Sequence, residues 1–366
     1  MIFLDNSSSS FFKPKSVFKA VENALLLPFN PSRASHLGAI KAGNLVYQTR
    51  KDLSATFGCS ADRVLFCGSC TEALNLAIFG SAVVGGHVVT TVFEHNAVLR
   101  PLFRLKNAGI IDLTVVENEK DAERAVKENT YLLAINHVSN VTGQTADLNF
   151  YSDLAKKSGA ALLVDAAQSA GYLDLNLEKM GIDMLALAPH KGLHSIMGVG
   201  ALLLSKNAKI KPFKYGGTGS ASSSVVQPEE IPEGFEAGTL PLPAIGTISE
   251  GLKWSMENKD RHGERLENFS AYLVDNLKKI GKIKVYSKPN RCGIVAFNID
   301  EMASTDAGYI YDSQYDIALR CGFHCAPLVH KFFGTDECGM IRASIGVDTE
   351  LDELDEFLAA TKEIAY

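Results

Sequence analysis

The sequence predicts an α/β fold, with a large domain built on a mostly parallel mixed sheet and a smaller α+β domain towards the C-terminus. Between about residues 60 and 205, short apolar runs alternate with helical patterns. Several of these runs are apolar throughout, which is typical of strands buried on both faces of a parallel sheet. Helices alternating with such strands are the crossovers of an α/β domain.

Each predicted element follows from its local pattern. Strands are short runs of residues that favour β structure, and helices repeat apolar residues at spacings of three and four. The predicted strands of the large domain span residues 63–66, 87–91, 113–116, 131–135, 161–165, 184–188 and 199–204. The predicted helices between them span residues 71–79, 96–107, 122–127 and 151–157.

A Gly/Ser-rich stretch at residues 215–224, followed by four prolines, interrupts this alternation. A long irregular segment of this kind in a compact protein is more often functional than idle. Beyond it we predict a second set of elements: helices 244–277, 306–311 and 350–364, strands 284–286, 293–299 and 340–344, and a loop at 320–327. We therefore assign residues 15–250 to the large domain, and residues 251–366 with the N-terminal segment 1–14 to the small one.

The composition is that of an ordinary globular protein of 366 residues, with 36 Lys+Arg against 42 Asp+Glu and 46% hydrophobic residues. It excludes a disordered or fibrous chain. The mildly acidic balance argues against nucleic acid or an anionic membrane as a partner. Neither a basic leader followed by an apolar stretch nor an apolar run of about 20 residues is present, so we expect a soluble, cytoplasmic protein.

The seven cysteines are an odd number scattered along a long chain, so we expect reduced thiols rather than a disulfide framework. Cys67 and Cys70 form a lone CxxC motif. Because no second CxxC or histidine pair at zinc spacing accompanies it, we expect no metal site there.

Candidate functional residues follow the predicted strands, since ligands of open α/β sheets bind beyond the carboxyl ends of the strands. The segments there are 68–72, 94–96, 137–140, 165–168 and 190–191. The first is a hydroxyl-rich turn that opens a helix, which favours an anion such as phosphate, although it is equally a Ser/Thr N-cap. Asp165 ends an apolar strand and needs a cationic partner, such as a protonated pyridine nitrogen.

Lys191 follows His190, and a lysine in such a cleft can form a Schiff base, although alone it reads as a solvated surface lysine. Together these groups describe a site for pyridoxal 5'-phosphate. The helix start would bind the phosphate of the cofactor, and an imidazole would stack on its ring. Asp165 would pair with the ring nitrogen, and the lysine would form a Schiff base with the aldehyde.

Segments along essentially the whole chain then resemble motifs of the cysteine desulfurase family, a branch of the class V aminotransferase-like enzymes. These are LDN (4–6), EHNAVLRP (94–101), HVSNVTG (137–143), VDAAQ (164–168), FEAGT (235–239) and RCGFHCAP (320–327). The resemblance implies the type I fold of pyridoxal-phosphate-dependent transferases and, within the family, its second group, which is related to selenocysteine lyase.

The resemblance also implies residue roles. Lys191 would hold the cofactor, His95 would stack on its ring, and Asp165 would pair with the ring nitrogen. The remaining cofactor contacts would come from Asn140, Gln168, Cys70, Thr71, His190 and, across a homodimer, Thr239 of the partner subunit. The substrate carboxylate would be bound by Arg342, a task suited to a bidentate guanidinium, with Arg320 and Asn140 beside it.

Cys325 of the RCGFHCAP segment corresponds to the nucleophile of the second group. A free cysteine is otherwise an inert small hydrophobe, but this one lies in a polar loop beside His324 and near Arg320, a setting that makes thiols reactive. The expected reaction removes sulfur from L-cysteine, or selenium from L-selenocysteine, and leaves L-alanine with a persulfide-type adduct on Cys325. An acceptor protein could then collect that atom.

Two other functions stay open. One is another class V reaction on a small amino acid, such as transamination, β-elimination or racemisation. The other is a sulfur-relay or scaffold protein without turnover, suggested because Ala188 and Pro189 stand where the family usually has Ser or Thr and then Gly. Gly234 likewise replaces a common arginine, and residues 7–10 are all serine where Ala-Ala or Ala-Thr is usual. We expect weaker cofactor binding and an altered substrate pocket from these departures.

Overall fold

The computed structural model describes residues 1–31, 34–300 and 302–366. The helices of this part are α1 (Lys15–Leu25), α2 (Leu37–Phe57), α3 (Cys70–Gly80), α4 (Asn96–Asn107), α5 (Glu119–Ala125), α6 (Leu148–Ser158), α7 (Leu177–Met180), α8 (Leu242–Leu277), α9 (Ser304–Tyr315), α10 (Pro327–Phe333) and α11 (Leu351–Ala365). The strands are β1 (Ile2–Phe3), β2 (Val64–Cys67), β3 (Gly86–Thr91), β4 (Ile111–Val116), β5 (Thr130–Asn136), β6 (Ala161–Asp165), β7 (Met184–Leu187), β8 (Gly200–Leu204), β9 (Ile283–Val285), β10 (Ile294–Ile299), β11 (Ile317–Ala318), β12 (Arg320–Gly322) and β13 (Met340–Ser344).

The large sheet has the strand order β2-β8-β7-β6-β5-β3-β4. The strands from β4 to β7 are parallel neighbours, while β8 pairs antiparallel with both β7 and β2. Every residue of β3 and β7 is buried, as a sheet covered on both faces requires. The predicted α/β class and mostly parallel sheet are confirmed, with strand ends shifted by one or two residues.

Two apolar layers enclose this sheet. On one face, α2, α6 and α8 pack through residues such as Phe57, Leu154 and Ile248. On the other face, α3 and α4 pack through Leu74 and Leu102. No element was predicted before residue 63, where the structure has β1, α1 and α2.

The C-terminal part has an antiparallel sheet of order β12-β13-β10-β9, covered by α8, α9 and α11. The N-terminus joins this part, because β1 pairs in parallel with β11. Helix α8 is 36 residues long and packs into both cores, through Ile245 at one end and Leu273 at the other. The predicted division at residues 250/251 falls inside α8 and stays a prediction.

One local expectation was wrong. Residues 320–327 were expected to form a loop, but their first three residues form β12 and pair with β13. This pairing sets Arg320 directly opposite Arg342. Across the described residues, no helix is long and apolar enough to cross a membrane.

Candidate active site

A cleft with a cavity volume of about 130 Å³ lies at the carboxyl edge of the large sheet. It brings together most of the residues singled out from the sequence. Its lining includes Cys70, Thr71, His95, Asn140, Asp165, Gln168, His190 and Lys191. A larger and more open groove of about 530 Å³ beside β9 carries none of these side chains on its described walls.

Lys191 and Asp165 are the two ionisable groups at the centre of this cleft. Burial lowers the pKa of the Lys191 ammonium, which favours the neutral amine. Burial also raises the pKa of the Asp165 carboxyl, although the backbone N–H of Ala167 donates to its Oδ1 at 2.9 Å. A neutral amine is a nucleophile. A cationic group of a ligand would stabilise the ionised form of the buried carboxyl.

Two glycines set the backbone around Lys191. A Cβ on Gly192 would lie 2.2 Å from the carbonyl oxygen of Ala170, and one on Gly171 would lie 2.1 Å from that of Gly192. Gly171 also has φ +98°, a conformation that L side chains rarely adopt. This close approach packs the turn after Lys191 against the segment that follows β6.

The start of α3 forms one wall of the cleft. Ser69 is the N-cap, and its hydroxyl accepts a hydrogen bond from the N–H of Glu72 at 3.2 Å. Thr71 is exposed at the first turn, beside the free N–H groups of the helix. Cys70 lines the cleft as well, with its Sγ 3.9 Å from Asp165 Oδ1, and burial raises its pKa. The turn is therefore an N-cap, as one of the two predictions for it states. Its binding of an anion stays a prediction.

Two histidines in the cleft are held neutral. His95 is the N-cap of α4, and its Nδ1 accepts from the N–H of Ala97 at 3.0 Å. Burial lowers the pKa of His95 to about 4 and that of His190 also to about 4. His190 Nδ1 lies 3.1 Å from the Ser9 hydroxyl, so the N-terminal segment closes this side of the cleft.

Cys325 lies exposed beside the cleft, in a turn where it and His324 both have positive φ, +57° and +50°. The turn is tied to the large sheet at two points. The N–H of Asn96, next to His95, donates to the Cys325 carbonyl at 2.7 Å, and Asn140 Nδ2 donates to the His324 carbonyl at 2.7 Å. These bonds hold the thiol close to the residues that line the cleft.

Arg342 has a different setting from the one expected of a residue that binds substrate. Its side chain is only 1% exposed, and its Nη2 pairs with Asp5 Oδ1 at 2.6 Å. Its Nη1 donates to the Asn140 carbonyl at 2.8 Å, and burial lowers its pKa. Arg320, opposite it in the sheet, is partly exposed and donates from Nη2 to Cys325 Sγ at 3.8 Å. Of the two guanidiniums, Arg320 is the more accessible.

Gln168 and Thr239 differ in their settings from the other predicted residues. Gln168 lines the cleft but donates to the Ser7 carbonyl at 3.0 Å. Thr239 is exposed and is not part of the described lining of its own chain's cleft. It lies three residues after Glu236, which is buried in an ion pair with Arg50 of α2.

Sequence reasoning missed the structural importance of the N-terminal segment. Asp5 pairs with Arg342, and Ser8 contacts both Arg342 and Arg320. The available signal was the LDN segment followed by four serines, whose polar character is unusual next to a strand.

The donor set fits pyridoxal phosphate. Besides the lysine, the carboxyl and the open helix start, the buried Oδ1 of Asn140 faces no hydrogen-bond partner in the described structure. Such an acceptor is costly to leave unpaired, so a ligand donor would stabilise it. Ala188 lines the same cleft without a hydroxyl, beside the other residues of the set.

Comparisons with known proteins agree with this geometry. The family model described as aminotransferase class-V matches residues 2–357. A probable cysteine desulfurase of Methanothermobacter thermautotrophicus is 30% identical over 355 residues, covering 92% of this chain and 88% of that protein. One of Pyrococcus abyssi is 28% identical, covering 100% and 94%. The apo structure of a cysteine desulfurase from Thermococcus onnurineus NA1 superposes with a TM-score of 0.92 at 29% identity, covering 100% of this chain and 94% of that one.

Proposed function

The chain belongs to the cysteine desulfurase family of the class V aminotransferases, and we propose that it catalyses the reaction of that family with pyridoxal 5'-phosphate. It removes sulfur from L-cysteine, or selenium from L-selenocysteine, and releases L-alanine. The observation that carries this proposal is the placement of an exposed thiol, Cys325, against a cleft that contains a partly buried lysine and a buried carboxyl.

Lys191 would hold the cofactor covalently, with Asp165 at its ring nitrogen and His95 against its ring. Thr71, His190 and the N–H groups at the start of α3 would hold its phosphate, with Cys70, Asn140 and Gln168 beside the ring. When bound, pyridoxal phosphate withdraws electrons from the α-carbon of an amino acid. The lowered pKa of Lys191 suits its amine to take the proton from that carbon and return it, as a general base and acid.

Cys325 carries out the sulfur transfer. Its Sγ attacks the sulfur of the substrate, so that an S–S bond forms and the bond between the substrate's β-carbon and sulfur breaks. The electron pair of the broken bond stays with carbon, which takes up a proton and leaves as alanine. Cys325 is left as a persulfide, and the neighbouring Arg320 guanidinium stabilises the sulfur anion on either side of this step. A reducing compartment such as the cytoplasm keeps the thiol free.

The substrate carboxylate is bound on the guanidinium side of the cleft. Arg320 offers the accessible nitrogens, and Arg342, opposite it in the sheet, donates from Nη1 to the Asn140 carbonyl. The two positive charges suit a carboxylate, while burial of Arg342 keeps it in one orientation.

The working form is a homodimer in this proposal. Thr239 lies on the protein surface rather than in its own cleft, which leaves it free to reach the phosphate bound by a second copy. An acceptor protein would collect the sulfur from Cys325, since the thiol is exposed.

Alanine release tests the function directly. We expect the purified protein, supplied with pyridoxal phosphate, to form alanine from cysteine or selenocysteine, and Cys325→Ala to lose this activity. Cys338→Ala, which removes another partly exposed thiol, is the matched control and should retain it. Turnover that survives Cys325→Ala would favour another class V reaction. Cofactor binding with no alanine from either substrate would favour a relay or scaffold.

A further inference from the structure

The hydroxyl of Ser8 lies between the two guanidiniums of the active site. Arg320 Nη1 donates to Ser8 Oγ at 3.2 Å, and Arg342 Nη2 donates to the same oxygen at 3.1 Å. The hydroxyl itself donates to Asp5 Oδ1 at 2.7 Å. One donor and two acceptor positions are therefore all engaged, which fixes the hydroxyl in place.

The hydroxyl is not needed to hold its own segment. The turn closes through backbone, because the N–H of Ser8 donates to the Asp5 carbonyl at 3.1 Å. Neighbouring backbone groups attach the segment to β13, with the N–H of Asn6 on the Ser344 carbonyl at 3.2 Å and that of Ser7 on Ser344 Oγ at 3.0 Å. An alanine at position 8 would keep all three bonds.

The other end of the Arg320 fork points at the nucleophile. Its Nη2 lies 3.8 Å from Cys325 Sγ, while its Nη1 is the nitrogen held by Ser8. A guanidinium is planar and rigid, so fixing one nitrogen sets the direction of the other. Without that anchor, the long and partly exposed side chain would sample several rotamers.

We propose that Ser8 is a positioning residue that aims Arg320 at the Cys325 thiol through the Ser8 Oγ–Arg320 Nη1 bond. Arg320 held in this direction places a positive charge 3.8 Å from the sulfur that attacks. The proposal rests on the proposed function only in taking Cys325 as the nucleophile. It gives a role to one of the four consecutive serines at residues 7–10.

The test measures thiol chemistry as well as turnover. The holoenzyme is treated with iodoacetamide at neutral pH, and the alkylation rate of Cys325 is followed by mass spectrometry of its peptide. We expect Ser8→Ala to slow this rate roughly threefold to tenfold, about the net effect of one ordinary hydrogen bond. Ser8→Thr, which keeps the hydroxyl, should retain most of the rate. Ser8→Val, which has the shape of threonine but no hydroxyl, should not. Ser313→Ala removes an exposed hydroxyl on α9 and should leave the rate unchanged.

A double-mutant cycle separates positioning from a general structural effect. Because Ser8 acts through Arg320, Ser8→Ala should add no further slowing when Arg320 is already methionine. An unchanged rate in both Ser8→Ala and Ser8→Val, or an equal slowing by Ser8→Ala in the presence and absence of Arg320, would overturn the proposal. If the alkylation rate depends on Ser8 but the wild-type protein releases no alanine, the positioning is supported and the proposed function is wrong.

Discussion

Replacing Arg50 by methionine is expected to lower the free energy of unfolding by about 3–5 kcal/mol, because it leaves the Glu236 carboxylate buried without its cation. The two side chains are 8% and 6% exposed, and Arg50 Nη2 lies 2.5 Å from Glu236 Oε2. Arg50 Nη1 also donates to the Val64 carbonyl, which would lose that partner. The pair anchors the segment that leads to Thr239.

The partner substitution has a smaller expected cost. Glu236→Gln keeps an oxygen for the N–H of Phe66, which now donates to Glu236 Oε1 at 2.6 Å, but it turns an amide nitrogen towards Arg50, which keeps only its bond to the Val64 carbonyl. We expect it to cost about 1–3 kcal/mol. The double variant removes both charges, so its cost should fall short of the sum of the two single costs by about 0.5–3 kcal/mol.

Unfolding in guanidinium chloride measures these costs. The single tryptophan, Trp254, packs against Phe12 and His262 with ring centroids 5.1 Å and 4.9 Å apart, so its fluorescence reports loss of tertiary structure. Arg63→Met is the control, because Arg63 also donates to backbone carbonyls but sits near the surface and should cost under about 1 kcal/mol. A cost below about 1 kcal/mol for Arg50→Met, or strict additivity in the double variant, would refute the reasoning.

Three further outcomes are expected. Gly192→Ala should destabilise the protein by roughly 1–3 kcal/mol in thermal unfolding, since its new Cβ would lie 2.2 Å from the Ala170 carbonyl oxygen; an unchanged melting curve would contradict this. Burial raises the pKa of Glu94 to about 8 from an ordinary 4.5, so the folded state keeps a proton that the unfolded chain releases. The contribution of Glu94 to the free energy of unfolding should therefore fall as pH rises from about 4.5 to about 8. In urea titrations, the free energy of unfolding of the wild type relative to that of Glu94→Gln should fall over the same pH range; a difference between the two proteins that does not change with pH would count against it. Asp165→Asn should lower kcat for alanine release about 10²-fold, whereas Asp153→Asn, at an exposed position of α6, should not; equal kcat values for the two variants would argue against the role of Asp165.

The large sheet and much of the cleft could be predicted from local sequence. β6 is apolar up to its last residue, Asp165. Both its burial and the position of the carboxyl at the sheet edge could therefore be predicted from the sequence. Thr71, His95 and Lys191 each follow a strand at the same edge, and the structure places all three on one cleft. Parallel strands bring such residues together whatever the loops between them do.

The guanidinium side of the site could not be predicted in this way. The ion pair between Arg342 and Asp5 joins residues 337 positions apart, and nothing in either local pattern indicates the other. β12 is three residues long and ends in glycine, so its composition reads as a loop until β13 supplies the hydrogen bonds. Long-range pairing therefore decided both the strand and the accessibility of Arg342.

The most direct test of the account is the mass of the Cys325 peptide after the protein, loaded with pyridoxal phosphate, reacts with cysteine in the absence of an acceptor. The account predicts one extra sulfur on that peptide in step with the first alanine released, and none in Cys325→Ala. Alanine formed with the extra sulfur on Cys321 or Cys338 instead, or with no sulfur retained by the protein, would contradict it.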